Sequence, residues 1–220
     1  MYRRDYFMRL IEEATAVLGQ ALKLSQTREY AEAIAVTNGS LRRLTGLSSD
    51  ALLRLDSEDL VAQLSLRDEL GWIETCLGVV TVLNQEGDLY ALQKQEEAAY
   101  HRHLKALQLL LAVQTRHPQL DLPEIVPSIA DLLAKVADIL WPEATCAALL
   151  TYFEQRNEYA QAENIIFAWR EMAPTSAAPI EAGIAFYERL QGKSDAELLA
   201  GNLPRDEMTA SLAELLDESS

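Results

Sequence analysis

The chain has 220 residues, 49% of them hydrophobic and 24% charged, with a net charge of -15, so it can bury a core of its own without a metal or disulfide staple. Residues 1–50 hold seven Lys/Arg against six Asp/Glu, so residues 51–220 carry a net charge of -16. That balance argues against a nucleic-acid partner, because phosphate binding needs a clustered basic face.

Arg3, Arg4 and Arg9 form the only basic patch near a terminus and read as a solvated helix end, with an anionic partner as the minority reading. Glu12 and Glu13 interrupt the apolar run from Tyr6 to Ile11, so no signal peptide is expected. No stretch approaches the roughly 18 apolar residues of a membrane span, and the best one, Leu107 to Val113, lies in a charged helix. The expected location is the cytoplasm. Cys76 and Cys146 are too few for a disulfide framework or zinc-ligand spacing and are expected as reduced core residues.

In chain order, residues 4–24 place Phe7, Leu10, Ile11, Ala14, Val17, Leu18, Ala21 and Leu22 on one helical stripe. The polar turn Ser25-Gln26-Thr27 leads to a second helix through about Leu44, with Gly46 as its cap. Two small helices are expected around Ala51 to Leu55 and Leu60 to Leu64. A helix from about Leu66 to Gln85 is expected to stop at Gly87, and a long one to run from about Asp88 to Thr115 with Leu92, Ala99, Tyr100, His103, Leu104, Leu107 and Leu111 at helical spacing. His117-Pro118 ends it. Pro123 suits the first position of a helix with Ile125, Val126, Ile129, Leu132, Leu133, Val136 and Leu140 inward. After Trp141-Pro142 come two helices to about Ala173, then a last group from Pro179 broken at Gly201 to Pro204. The expected fold class is all-α.

A repeat underlies this order. Glu29-Tyr30-Ala31-Glu32-Ala33 recurs as Glu158-Tyr159-Ala160-Gln161-Ala162, with a weaker copy at Glu86-Gly87-Asp88-Leu89-Tyr90-Ala91. With these residues the chain resembles the tetratricopeptide repeat, a 34-residue helix-turn-helix. In the best copy, 143–176, Cys146, Leu149, Phe153, Tyr159, Ala162, Ile166 and Pro174 take positions 4, 7, 11, 17, 20, 24 and 32. One repeat further on, Ile180, Tyr187 and Ala196 take positions 4, 11 and 20. The resemblance implies one domain over 1–220, with copies near 14–47, 73–106, 143–176 and 177–210, stacked as an irregular right-handed superhelix. Ala33 and Ala162 then mark the close approach of two helices, while Ala160 should face solvent. Leu150 and Ile184 at position 8, Gly183 at position 7 and Lys193 at position 17 depart from the pattern, so the helix pairs are expected to splay and the last copy to act as a cap. The opening Met1 to Glu13 also looks like the start of a family of uncharacterised bacterial proteins with such repeats.

Candidate chemistry is sparse. Glu97 and His101 could share a metal, but His103 points to another side of the same helix and no third ligand is placed to join them. No metal or cofactor is expected, and His103 reads as a hydrogen-bonded core residue. The pairs Glu12-Glu13 and Glu96-Glu97 diverge by about 100° on a helix, which spoils them as acid/base partners. Neither cysteine has a neighbouring His, and Trp72, Trp141 and Trp169 read as core.

Three readings of function follow. The first is a non-catalytic module that holds a peptide or protein helix on a concave face. The family resemblance puts those contacts at Ala144, Ala147, Thr151, Glu154 and Gln155. This set lacks the Lys, Arg and Asn residues of a carboxylate clamp, so a basic or apolar partner suits the charge better. The second is a small-molecule sensor or enzyme with a site within residues 72–141. Self-association through an exposed apolar face is a third option.

Overall fold

The structure is a computed structural model that describes the backbone of residues 2–66, 69–137 and 140–218, with side chains described in 14–66, 70–137 and 140–218. The described residues form twelve helices and no strand. They group into two compact units, residues 1–113 with 119–138 and residues 114–118 with 139–220.

The first unit opens with α1 (Tyr2–Gln26) and α2 (Tyr30–Thr45). Between them Arg28 adopts φ 64, its N–H bonds to the Ser25 carbonyl and the Glu29 N–H bonds to the Leu24 carbonyl. This is the Schellman arrangement, in which a left-handed residue satisfies the last carbonyls of a helix. Ala21 and Ala33 meet across the pair and pack on Leu89. Both are fully buried, as two helices need small side chains where they come closest. Of the expected α1 stripe, Ala14, Val17 and Ala21 are buried and Leu22 is exposed, while Phe7, Leu10, Ile11 and the basic patch Arg3, Arg4 and Arg9 lie outside the described side chains. Gly46 caps α2 at φ 80, donating to the Arg42 carbonyl. The short helices α3 (Ser49–Arg54) and α4 (Ser57–Leu64) are capped by the side chains of Ser48 and Asp56.

The centre of this unit departs from the expected boundaries. α5 (Glu69–Leu92) runs straight through Gly87, and α6 (Glu96–Arg116) begins two turns later than the sequence suggests. The turn falls at Lys94, φ 58, whose N–H bonds to the Ala91 carbonyl while the Gln95 N–H bonds to that of Tyr90. It repeats the Arg28 turn bond for bond. The weak copy at residues 86–91 is therefore helix rather than turn. Counting from Lys94, the residue equivalent to Ala33 is Ala99, which is 3% exposed. Gly87 stays helical because α6 crosses it there: a Cβ at Gly87 would overlap the His103 ring. α5 is buried on every side from Trp72 to Leu83.

α7 (Ile129–Val136) is shorter than expected, because Pro127 biases Val126 away from helical dihedrals and Ser128 with Asp131 forms a capping box at the true start. Ile129, Leu132 and Val136 are buried as expected, but Leu140 is 67% exposed and lies beyond the helix.

The second unit begins with α8 (Glu143–Gln155) and α9 (Tyr159–Met172), close to their expected limits. Asn157, φ 58, makes the same turn again, its N–H bonding to the Glu154 carbonyl and the Glu158 N–H to that of Phe153. Ala162 is fully buried three residues into α9. Ala160 is half-buried rather than solvent-facing, because its N–H bonds to the Gly201 carbonyl. α10 (Ala178–Leu190) packs on α9, and Gly183 admits Leu215 and Ile166 where a Cβ would collide with them. α11 (Asp195–Ala200) is a single capped turn and α12 (Arg205–Glu218) returns against α10. Ala196 is exposed and Leu198 buried, so the small contact residue expected at position 20 does not meet a neighbour in this copy.

Two predictions follow from these approaches. Gly87→Ala should cost about 1–3 kcal/mol in urea denaturation by overpacking His103, whereas in a His103→Ala background the same change should cost nothing or stabilise, since Ala exceeds Gly in helix propensity by about 1 kcal/mol. Equal costs in both backgrounds would contradict the close approach. Ala162→Leu should likewise cost about 1–3 kcal/mol and lower the melting midpoint more than Ala160→Leu; the reverse order would place the helix in another phase.

Candidate functional site

The most elaborate polar cluster lies inside the first unit. Glu86 of α5 is fully buried; its Oε1 accepts from Arg102 Nε at 2.6 Å and Ser49 Oγ at 2.6 Å, and its Oε2 from Thr37 Oγ1 at 2.9 Å. Arg102 also donates to the Ala98 carbonyl and to Asp50, and lies 4.0 Å above the Tyr90 ring. With both carboxylate oxygens engaged, the cluster is a lock joining α2, α3, α5 and α6. Lys105 adds a second tie, donating to the Leu55 carbonyl at 2.7 Å and Ser57 Oγ at 2.9 Å. Burial pushes its pKa down.

His103 is buried, as the sequence suggests, and its Nε2 lies 3.1 Å from Asp88 Oδ1. Lys135 of α7 donates to the same oxygen at 2.6 Å and to Asn84 Oδ1 at 2.7 Å. Burial alone would raise the Asp88 pKa, but the hydrogen bonds from His103 and Lys135 outweigh it and hold the carboxyl below its ordinary value. His101 stands 3.9 Å from Glu97 on the exposed face. Among the described residues no group of three His, Cys, Asp or Glu could hold a metal.

Both cysteines are buried thiols outside any disulfide, and burial pushes the Cys146 thiol up to about 11, so at neutral pH it is a packed thiol rather than a nucleophile. Trp72 and Trp169 are buried and Trp141 is half-buried; Trp169 Nε1 donates to Glu143 Oε2 at 3.2 Å.

The surface residues singled out in the sequence lie on α8. Ala144, Thr151 and Gln155 are exposed, Ala147 and Glu154 half-buried. Their spacing aligns Ala144, Ala147, Thr151 and Gln155 along one side of the helix. Glu154 departs from that strip in one respect: it accepts two 2.7 Å bonds from Arg189 of α10, an ion pair that keeps Arg189's pKa above its ordinary value. Glu154, Gln155 and Arg189 line a cavity of about 320 Å³ with Asn157, Tyr159 and Lys193. Arg189 was missed, yet the register that names Glu154 at position 12 puts Arg189 at position 13 one repeat later. Deeper in the same unit the Tyr187 hydroxyl donates to buried Glu163 at 2.7 Å, and burial raises its pKa.

These features define an all-α protein of paired helices. The family model described as "Family of unknown function (DUF6483)" matches residues 1–220, and the chain belongs to that family. No curated protein and no solved structure matches it. Among the described residues no helix is long and apolar enough to cross a membrane.

The Asp88 contacts give a pH-dependent expectation. A carboxyl held below its unfolded pKa contributes stability above that value, ~3.9, which is lost as the pH falls through the lower folded value. The Asp88 side chain is 38% exposed, so solvent screening limits the effect to about 1 kcal/mol or less. Asp88→Asn should therefore lower the melting midpoint at pH 7, and the gap to wild type should close below about pH 4. A gap that widened on acidification would contradict the direction of the shift.

Proposed function

We propose that the protein is a non-catalytic binding module whose tetratricopeptide-like helix pairs hold a helix or peptide of a partner. The observation that carries this reading is the way the second unit receives its own α10. That helix packs on α9 with Gly183 at the contact and brings Arg189 onto Glu154 of α8, so a helix pair here takes a third helix through an apolar approach and one charge pair. The Schellman turns at Arg28, Lys94 and Asn157, each followed by a buried alanine at Ala33, Ala99 and Ala162, support the repeat reading. Ala144, Ala147 and Thr151 on α8 are small enough to admit a partner backbone closely, with Gln155 at the end of the strip.

Selection from a displayed library of helical peptides against the full chain, followed by amide-exchange mapping, tests the proposal. Bound peptides are expected to protect amides of the second unit. Gln155→Trp should weaken a ligand mapped to α8 by about tenfold, near 1.4 kcal/mol, without changing the fold. Failure to select any peptide above background would overturn the reading.

A further inference from the structure

One helix of the first unit stands outside the paired scheme. After α6 the chain runs through residues 117–128, which hold Pro118, Pro123 and Pro127 and form no helix, and only then folds back as α7. The start of α7 is capped from within, by Ser128 and Asp131, so its first turn is satisfied without help from a neighbour.

What α7 offers the rest of the unit is an anchor pattern. Ile129, Leu132 and Val136 are 4%, 0% and 1% exposed and Leu133 is half-buried, while Ala130, Asp131 and Ala134 are exposed. Apolar residues at i, i+3, i+4 and i+7 are the form in which a separate helical ligand lies in a groove. Lys135 sits beside that stripe at the surface and donates to Asn84 and Asp88, one turn apart on α5. The seat of α7 therefore receives two turns of apolar helix and one cation. Its acid is also held by His103 of α6, a contact that does not involve α7.

We infer that α7 is a strap filling a helix-docking site of the first unit in cis, and that an amphipathic helix of a partner protein takes its place in trans. The partner helix carries the same apolar stripe and a Lys or Arg reaching Asp88. This goes beyond the binding surface on α8: it lies in the other unit and uses none of the same residues, so either reading can fail alone. A short tether holds its end at an effective concentration on the order of millimolar, so the partner competes with α7, and weakening α7 strengthens the partner. The cation is the part of the strap most open to change, because it lies at the surface while the anchors are buried.

The test uses the full chain and a fluorescent peptide copying residues 127–137. Lys135→Glu in the protein sets like charges against each other; the α7 amides should then exchange with deuterium about tenfold faster, with those of α5 within about twofold of wild type. The peptide is expected to bind this variant about tenfold more tightly than wild type, and a scramble of identical composition to bind neither. Asp88→Lys, which repels the strap in the same way, should reverse the preference and select a peptide carrying Lys135→Glu. The protein with both substitutions should close again and return the α7 amides toward the wild-type rate. An unchanged α7 rate, or α7 and α5 accelerating together, would make α7 an integral part of the core and overturn the inference. Equal binding of the scramble would reduce the effect to the acidity of the chain, and a peptide that binds the opened variant no better than wild type would leave no site to open; each overturns it while the reading on α8 stands.

Discussion

The chain reverses direction at Arg28, Lys94 and Asn157 with a single left-handed residue, and the next helix starts two residues later. A connection that short leaves no slack: consecutive helices must touch beside the turn, and a large side chain there would force them apart. Hence Ala33, Ala99 and Ala162, each three residues into its helix and each buried. Other approaches obey the same limit by different means, with glycine at 87 under His103 and at 183 under Leu215. Left-handed Arg and Lys are uncommon, so these turns are held by the packing around them rather than by their own preference.

From that constraint the two units develop differently. The first surrounds α5, which is buried on every side from Trp72 to Leu83. Polar residues on α6 then decide which neighbour lies where: Arg102 reaches Glu86, Ser49 and Thr37 complete the same carboxylate, and Lys105 holds the α3–α4 junction. A buried ion pair of this kind adds little net stability over apolar packing but penalises every arrangement that would leave it unpaired. The second unit is a layered set of helices in which α10 is the covering element, and it leaves a face of α8 uncovered. Membership of a family of unknown function assigns no activity, so that face and the chemistry it presents are the basis of the functional reading.

The sequence by itself determined the all-helical class, because few Gly and Pro and a persistent 3.6-residue pattern leave no other way to bury the apolar half of the chain. It also determined the places where local chemistry is decisive: Gly46 as a left-handed cap, Pro142 before α8, buried Ala33 and Ala162, the inward His103 and the two buried cysteines. Only the tertiary structure decided the rest. Gly87 looks like a helix stop and is an interior contact, since what spares it is the His103 ring arriving from another helix. Lys94 looks like helix interior and is the turn. Arg189 on Glu154 and Leu199 left in the open depend on which elements lie side by side, and residue pairs 35 positions apart carry no local signal of that neighbourhood. The physical reason is common to all four: periodicity and caps are short-range preferences of about 1 kcal/mol, and contacts between helices outweigh them wherever the two disagree.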